Sequence, residues 1–163
     1  LVRKIAPLER RVAVEVDAGP KVRLRADADQ LEQVLINLVK NAADAIAATG
    51  SAGTIRIGWT ATERAVEITV EDDGPGLGDS ANLFVPFYTT KPGGTGIGLV
   101  LCRSIVESHR GRIRAQNLYN AGSVTGCRFA FTLPVDLSQR AEAPAVPDVP
   151  DVAAASNPNA SAS

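Results

Sequence analysis

The sequence lacks the features that mark several large classes of protein. Its 163 residues include no methionine, one tryptophan, one histidine and two cysteines, and its charged side chains nearly balance at a net charge of −1. Such a balance gives no electrostatic attraction to nucleic acid or to an anionic membrane surface, so neither is expected as a partner. No apolar run reaches the roughly 18 residues of a membrane-spanning helix, and no signal peptide is visible. The chain begins at Leu1, which predicts a fragment or processed piece of a longer protein.

The two cysteines exclude further kinds of site. Cys102 and Cys127 have neither metal-binding nor redox spacing, and no group of side chains has the composition of a metal centre. Two isolated thiols fit a reducing compartment. Cys102 lies in an apolar helical pattern and is predicted to be a core residue rather than a reactive thiol. Any metal is therefore expected to arrive with a ligand.

What the sequence does contain is a succession of strand and helix patterns in the order β-β-α-β-β-α-β-β. Alternating apolar residues predict two strands at 11–16 and 21–26, which are expected to pair as a hairpin across Gly19-Pro20. The other predicted strands cover residues 54–60, 65–70, 112–116 and 127–133.

Two helices are predicted between these strands. The first begins at a cap on Asp27, with Gln30 as capping-box partner, and ends near Thr49-Gly50. Its buried face is predicted to hold Leu31, Val34, Leu35, Leu38, Val39, Ala42, Ala45 and Ile46. The second helix covers residues 97–108 and is expected to bury Ile97, Leu101 and Ile105, with Val100 as a weaker candidate.

This order predicts an α+β fold, a sandwich in which helices cover one face of a mixed, mostly antiparallel sheet. The glycine loops lack the βαβ setting of a Rossmann fold, and no Gly-Lys-Ser/Thr of a P-loop follows them. Residues 1–10 are predicted to be a linker or the remnant of an upstream helical domain, and residues 11–137 one domain. Residues 138–163, rich in Ala, Pro, Asp and Ser, are predicted to be a disordered tail.

Four polar residues on the first helix lie within an arc of about 100°, opposite its apolar stripe. They are Asn37, Lys40, Asn41 and Asp44. They fit an ordinary solvated face, but asparagine is a mediocre helix former. Amide oxygens suit Mg²⁺ and a lysine suits phosphate, so a phosphate-binding face is the alternative, favoured once the glycine loops are considered.

The stretch Asp72-Asp73-Gly74-Pro75-Gly76 follows an apolar strand. An Asx-turn role suits Asp73. Asp72 is in phase with the buried residues Ile68 and Val70, and a buried carboxylate needs a donor such as the exocyclic amine of adenine. Thr132 on the last strand is a weaker candidate to assist it.

A second glycine loop, residues 93–98, opens the second helix, where backbone amides form an anion site. Thr89, Thr90 and Lys91 precede it, either as a plain polar loop or as a lid that Phe84 and Phe87 anchor while Lys91 reaches phosphate. His109, the single histidine, fits a helix cap better than catalysis.

Taken together, these motifs resemble the catalytic ATP-binding domain of sensor histidine kinases, within the group that includes gyrase, Hsp90 and MutL. Residues 37–42 resemble its N box, 72–76 its first glycine box, 84–87 its F box and 94–99 its second glycine box. Four boxes in this order are specific, and the match spans roughly residues 11–134. The run 86–91 looks most like the nitrogen-regulation type of kinase.

The resemblance implies a Bergerat α/β sandwich, ATP and Mg²⁺ as ligands, and a cytoplasmic location even if the full-length kinase is membrane-anchored. Asn41 would hold the metal, and Asn37, Lys40 and Lys91 would act in catalysis near the phosphates. The implied nucleotide-binding residues are Asn37, Lys40, Asn41, Asp44, Ala45, Asp72, Gly74, Gly76, Thr89, Lys91, Thr95, Gly96, Ile97, Gly98, Leu99 and Thr132. The implied partners are the dimerisation and phosphoacceptor domain of the same kinase and, indirectly, a response regulator.

Two departures from the family pattern affect this interpretation. Many such kinases have an aromatic residue at the position of Ala45, and no upstream phosphoacceptor histidine box is present. A gyrase-type ATPase or an anti-sigma serine kinase usually carries a glutamate at the position of Asn37, which argues against both alternatives. A non-catalytic nucleotide-binding module remains a third alternative.

Overall fold

A computed structural model describes residues 11–78, 81–88 and 94–135 of the chain. Its elements are β1 (Val12–Asp17), α1 (Ala28–Ala48), β2 (Gly53–Ala61), β3 (Ala65–Asp72), α2 (Gly98–Ser108), β4 (Arg112–Asn120) and β5 (Ser123–Pro134). The strands form one sheet in the order β1-β2-β3-β5-β4, and both helices pack on the same face of it. The predicted helix-covered mixed sheet is confirmed.

The first predicted hairpin is wrong. β1 pairs in parallel with β2, and α1 is the crossover between them, so the chain does contain one βαβ unit. The glycine loops lie outside that unit, because the first follows β3 and the second opens α2. The other three strand pairs are antiparallel.

Residues 18–26 run over the sheet instead of adding a strand to it. Val22 and Leu24 are half-buried while Lys21 and Arg23 are exposed, and the Nε1–H of Trp59 donates to the carbonyl of Pro20 at 2.9 Å. A segment that buries one side against a sheet face alternates in sequence as a strand does. The alternation therefore reflects burial of one side of this segment against the sheet face, and not pairing with a neighbouring strand.

The start of α1 is capped by Asp27, as the sequence predicted. Its Oδ1 accepts from the backbone amides of Asp29 and Gln30 at 3.0 and 3.2 Å. The predicted capping box is wrong in detail, because it requires the Gln30 side chain to accept from the Asp27 backbone amide. The Gln30 side chain donates to the Asp27 carboxylate. The backbone amide of Asp27 instead donates to Nε2 of His109 at 3.1 Å.

His109 is a cap residue, as predicted. Its Nδ1 lies 2.8 Å from the carbonyl of Ile105 in the last turn of α2. Its Nε2 accepts the hydrogen bond from the Asp27 amide, so the imidazole joins the end of α2 to the beginning of α1.

The core lies between the helices and the helix-facing side of the sheet. α1 contributes Val34, Leu38, Val39, Ala42, Ala43 and Ile46, and the sheet contributes Ile55, Ile57, Val70, Cys127, Phe129, Phe131 and Leu133. Leu31, Leu35 and Ala45, predicted to be buried, are half-buried at the edge of this interface. Within the described ranges, neither helix combines the length and apolarity that crossing a bilayer requires.

The buried face of α2 matches the prediction at Ile105 only. Cys102, Ile105 and Val106 are buried, whereas Ile97 and Leu101 are 48% and 41% exposed. Helical spacing allows a buried side along 97, 101 and 105 or one along 102, 105 and 106. The elements packed against α2 decide which of these two sides is covered.

Candidate functional site

Asp72 is the one buried charged residue among those described, at 5% exposure. It ends β3, opposite Ile55 on β2 and Cys127 on β5. Its Oδ1 accepts from the backbone amide of Gly74 at 2.9 Å, so the Asx-type turn belongs to Asp72. The assignment of that turn to Asp73 was wrong, because Asp73 Oδ1 accepts from the amide of Thr54 at 2.9 Å and ties the loop to β2.

The loop after Asp72 lies directly against α1. A Cβ on Gly74 would come within 2.9 Å of Asp72 Oδ1 and 3.2 Å of the Ala45 Cβ. Glycine is therefore needed where the backbone passes between helix and carboxylate. The structure thus brings together Asp72, Gly74 and Ala45, three residues predicted to share a site.

The far part of the same loop rests on the β4–β5 hairpin. Gly76 has φ +81°, and a Cβ there would lie 2.4 Å from Cγ1 of Val124 and 2.8 Å from Oδ1 of Asn117. Asn117 and Val124 were not among the predicted site residues. No local pattern could have revealed them, because each is an ordinary residue on a strand about 40 or more residues from the loop.

The two helices run antiparallel, which brings the second glycine loop to α1. The start of α1 is bonded to His109 at the end of α2, and further along the pair Cys102 Sγ lies 3.8 Å from the carbonyl of Val34. Gly98 is one turn before Cys102, about 6 Å along the axis. The first turn of α2 therefore lies beside the part of α1 that carries Asn37 and Asn41.

The polar face of α1 divides into two levels of burial. Asn37 and Asn41 are half-buried, while Lys40 and Asp44 are exposed. The Asn37 side chain accepts from Nε2 of Gln33 at 3.3 Å. The two asparagines that were predicted to belong to a phosphate-binding face are thus the two that the fold partly buries.

The second glycine loop is bonded to the F-box segment. The amide of Phe87 donates to the carbonyl of Gly96 at 3.2 Å, and a Cβ on Gly96, whose φ is +65°, would lie 2.6–2.8 Å from the backbone of Phe87 and Tyr88. Thr95 and Ile97 are exposed, and Gly98 and Leu99 are half-buried. The predicted residues Thr89 and Lys91, with Thr90, lie outside the described part of the chain.

Of the two aromatic residues predicted as anchors of a lid, only Phe84 packs against the core. It lies under the guanidinium of Arg103, 6.0 Å from the ring centroid. Phe87 is 78% exposed with φ +65°. The anchoring role of Phe87 is therefore wrong in this structure.

Thr132 does not belong to the Asp72 site. The residue of β5 opposite Asp72 is Cys127, and Thr132 is five residues further on, about 17 Å along a strand. Its hydroxyl accepts from the backbone amide of Arg112 at 3.3 Å. The prediction failed because Thr132 lies near the opposite end of the sheet.

The two thiols beside the candidate site are unreactive at neutral pH. Burial raises the pKa of Cys127 to about 12, and the neighbouring Asp72 adds a smaller increase. Burial also raises the pKa of Cys102 to about 11, against the lesser effect of a hydrogen bond with the Asn37 side chain. Both are protonated at neutral pH, which confirms that Cys102 is a core residue.

A groove of about 510 Å³ lies elsewhere, between residues 20–24 and the sheet. It is lined by Pro20, Lys21, Val22, Leu24, Trp59, Val66 and Ile68. The Trp59–Ile68 pair is four residues along the strands from the Ile55–Asp72 pair, roughly 13 Å away. Its apolar lining offers no carboxylate or amide side chain, so it is separate from the candidate site.

The residues around Asp72 fit a purine nucleotide with a metal-bound phosphate chain. Gly74 provides backbone close to a buried carboxylate, and the first turn of α2 provides amides opposite the half-buried Asn41. The amide oxygen of asparagine is a hard donor that suits Mg²⁺. A nucleotide that spans these two places would contact both glycine loops.

Comparison with known proteins decides the family. Residues 26–137 match the model described as histidine kinase-, DNA gyrase B-, and HSP90-like ATPase. The chain belongs to this family. Within it, the chain corresponds to the ATP-binding catalytic domain of two-component sensor histidine kinases, as the resemblance of the four boxes predicted.

The chain is similar to histidine kinases in sequence and in structure. It is 41% identical to the sensor protein FixL of Bradyrhizobium diazoefficiens over 121 residues, which are 73% of this chain and 23% of FixL. The catalytic domain of the histidine kinase ThkA shares 33% identity at a TM-score of 0.66, with 82% of each chain covered. ThkA in complex with the response regulator protein TrrA matches at 32% identity and a TM-score of 0.62, over 83% of this chain and 36% of that one.

The chain spans about a quarter of the length of the curated relatives it matches. The nitrogen-regulation subtype of this domain stays a prediction.

Proposed function

We propose that this domain binds Mg-ATP and donates its γ-phosphoryl group to a histidine on a dimerisation hairpin of the same kinase. The observation that carries the proposal is Asp72, the one buried carboxylate among the described residues, at the start of a loop that packs on α1. The antiparallel helices support it, because they bring a helix N-terminus alongside Asn41.

Asp72 is proposed to recognise the base. Its Oδ1 already accepts from Gly74, and a carboxylate has acceptor capacity beyond one such bond. The exocyclic amine of adenine is a matching donor. Ala45 offers a small apolar surface at the same place, in contact with Gly74.

The phosphate chain is proposed to lie between the first turn of α2 and the polar face of α1. Backbone amides around Gly96 and Gly98 suit phosphate oxygens because the dipole of α2 adds to their positive potential. Lys40 is exposed beside this region, and Thr89, Lys91 and Thr95 are proposed to contact the phosphates as well. Asn41 would hold Mg²⁺, which neutralises phosphate charge when bound.

Asn37 favours phosphotransfer over hydrolysis. An ATPase needs a group that takes a proton from water, and an amide cannot act as that base. Phosphotransfer depends mainly on positioning and charge neutralisation, which this site can supply without a base. The acceptor histidine, the response regulator and the cytoplasmic location are part of the proposal, and the complex of ThkA with TrrA is the precedent for such a partner.

Calorimetry with the purified chain tests the binding part. Mg-ATP is expected to bind, and Asp72→Asn is expected to weaken binding at least tenfold, because hydrogen bonds to charged groups contribute about 1.5–3 kcal/mol. Asp17→Asn at the exposed end of β1 is the matched control and should change nothing. Absence of binding to the unchanged chain, or equal affinity in Asp72→Asn, would contradict the proposal.

A turnover assay tests the reaction. The chain is incubated with labelled ATP, alone and with a phosphoacceptor hairpin of a histidine kinase. Acid-labile phosphohistidine on the hairpin is the expected product. ATP hydrolysis by the chain alone would indicate the ATPase alternative, phosphoserine on a partner the serine kinase alternative, and binding without turnover a non-catalytic module.

A further inference from the structure

Asn117 makes two hydrogen bonds to one residue of the base loop, defined here as residues 73–78. Its Oδ1 accepts from the backbone amide of Leu77 at 2.6 Å, and its Nδ2 donates to the carbonyl of the same residue at 3.1 Å. A side-chain amide thus binds Leu77 as a neighbouring strand would, with one donor and one acceptor.

The position of Asn117 explains how it reaches the loop. It lies on β4, the edge strand, opposite Cys127 of β5, and Cys127 is itself opposite Asp72. Asp72, Cys127 and Asn117 therefore form one row across three strands. The base loop leaves β3 at Asp72, crosses the end of β5 and meets β4 at Asn117.

The base loop is consequently fixed at both ends. Asp72 holds Gly74 at its beginning, and Asn117 holds Leu77 near its end. Between them, Gly76 is pressed against the β4–β5 hairpin, where a Cβ would lie 2.4 Å from Val124. A short loop with three glycines has high conformational entropy when free, so the bonds at its far end decide whether it has one conformation.

We propose that Asn117 is a positioning residue of the nucleotide site, which holds the base loop in the conformation that receives a purine. The inference rests on the proposed function, because it assigns the base to this loop. Asn117 acts through the backbone of Leu77 and does not itself touch the nucleotide. Its loss should weaken binding of the adenosine part of a ligand while the sheet stays folded.

The chemistry of the amide suggests a diagnostic substitution, Asn117→Asp. The introduced carboxylate can accept from the Leu77 amide, but it has no proton to donate and faces the Leu77 carbonyl with negative charge. On protonation at lower pH it regains a donor. A positioning role therefore predicts a defect that is large at neutral pH and smaller in acid.

The test measures ADP affinity with Mg²⁺ by calorimetry at pH 7.5 and near pH 4, where an aspartate side chain with its usual pKa of about 3.9 is substantially protonated. Asn117→Asp is expected to weaken ADP binding about tenfold or more at pH 7.5, the equivalent of the roughly 1–3 kcal/mol lost with such bonds. The ratio of its ADP affinity to that of the unchanged protein should rise toward one at the lower pH. Asn117→Ala should bind ADP weakly at both pH values. Asn120→Asp, at the exposed end of the same strand, should bind ADP within twofold of the unchanged protein.

Hydrogen exchange of the Leu77 amide in the unchanged protein is the second measurement, and it does not depend on a variant that folds. The amide should be protected without ligand. Either an unprotected Leu77 amide, or folded Asn117 variants with unaltered ADP affinity and only a lower unfolding temperature, would overturn the inference. If the unchanged protein binds no ADP, the proposed nucleotide-binding function itself fails. If the unchanged protein binds ADP and the Asn117 variants bind it equally well, only the positioning role of Asn117 fails, so the two failures are distinguishable.

Discussion

At the scale of single residues, the role of a residue could be predicted where the local sequence pattern determines its burial. Alternation along β3 placed Asp72 on the buried face, and the structure confirms it. Phe87 was assigned by its position next to the lid segment, and Thr132 only because it lies on the last strand; both assignments failed. Alternation shows which face of a strand a residue occupies, but it does not show which residue of the adjacent strand lies next to it.

Gly126 is a residue whose importance comes from such a neighbour. A Cβ on it would lie 1.9 Å from the backbone carbonyl oxygen of Asp72, which is too close without movement of a strand. We expect Gly126→Ala to lower the free energy of unfolding by about 1–3 kcal/mol, as overpacking does. It should also weaken ATP binding, because Asp72 must shift.

Urea unfolding and calorimetry measure these two effects. Gly78→Ala is the control, since a Cβ there meets no atom within 4 Å. That variant should remain within about 0.5 kcal/mol of the unchanged protein. Equal stability of Gly126→Ala and Gly78→Ala would show that β5 does not approach Asp72 this closely.

At the scale of elements, helix and strand identity followed from periodicity far better than pairing did. Both helices and the strands β2 to β5 were predicted within a few residues of their observed ends. The partner of β1 was wrong because a second alternating segment, residues 21–26, competed for it. Its alternation comes from contact with the sheet face, which a sequence pattern cannot distinguish from strand pairing.

The helix α2 also shows that periodicity predicts an element but not the contacts it makes, and two substitutions test which face of α2 is buried. Ile105→Ala should lower the free energy of unfolding by about 2–4 kcal/mol, because it opens a cavity in the core. Leu101→Ala should cost less than about 1 kcal/mol, since Leu101 is 41% exposed. A larger loss for Leu101→Ala than for Ile105→Ala in urea unfolding would mean that α2 is rotated from this orientation.

At the scale of the whole molecule, the face of the sheet away from the helices carries a row of charges. Glu15, Arg56, Glu71 and Arg128 are successive partners across four strands. Nε and Nη2 of Arg128 lie 2.6 and 2.5 Å from Oε1 of Glu71, with the two side chains 36% and 22% exposed. This partly covered pair joins β3 to β5, the two strands that carry Asp72 and Gly126.

We expect Glu71→Gln to lower the free energy of unfolding by about 1 kcal/mol at low salt, because a partly covered pair is weakly screened. Glu107→Gln removes a pair with Arg103 in which both side chains are more than half exposed. Its cost should be under about 0.5 kcal/mol and should vanish in high salt. Urea unfolding at low and high salt distinguishes them, and equal costs would refute a special role for the Glu71 pair.

The sequence by itself determined the family, the helices, most strands and the burial of Asp72. These properties are local, because periodicity, caps and glycine motifs depend on residues within a few positions of each other. The tertiary structure decided which face of α2 is covered, which strand β1 joins, and that Asn117, Gly126 and Val124 support the base loop. Those contacts join residues 40 or more positions apart, and their geometry exists only after the sheet and helices have packed together.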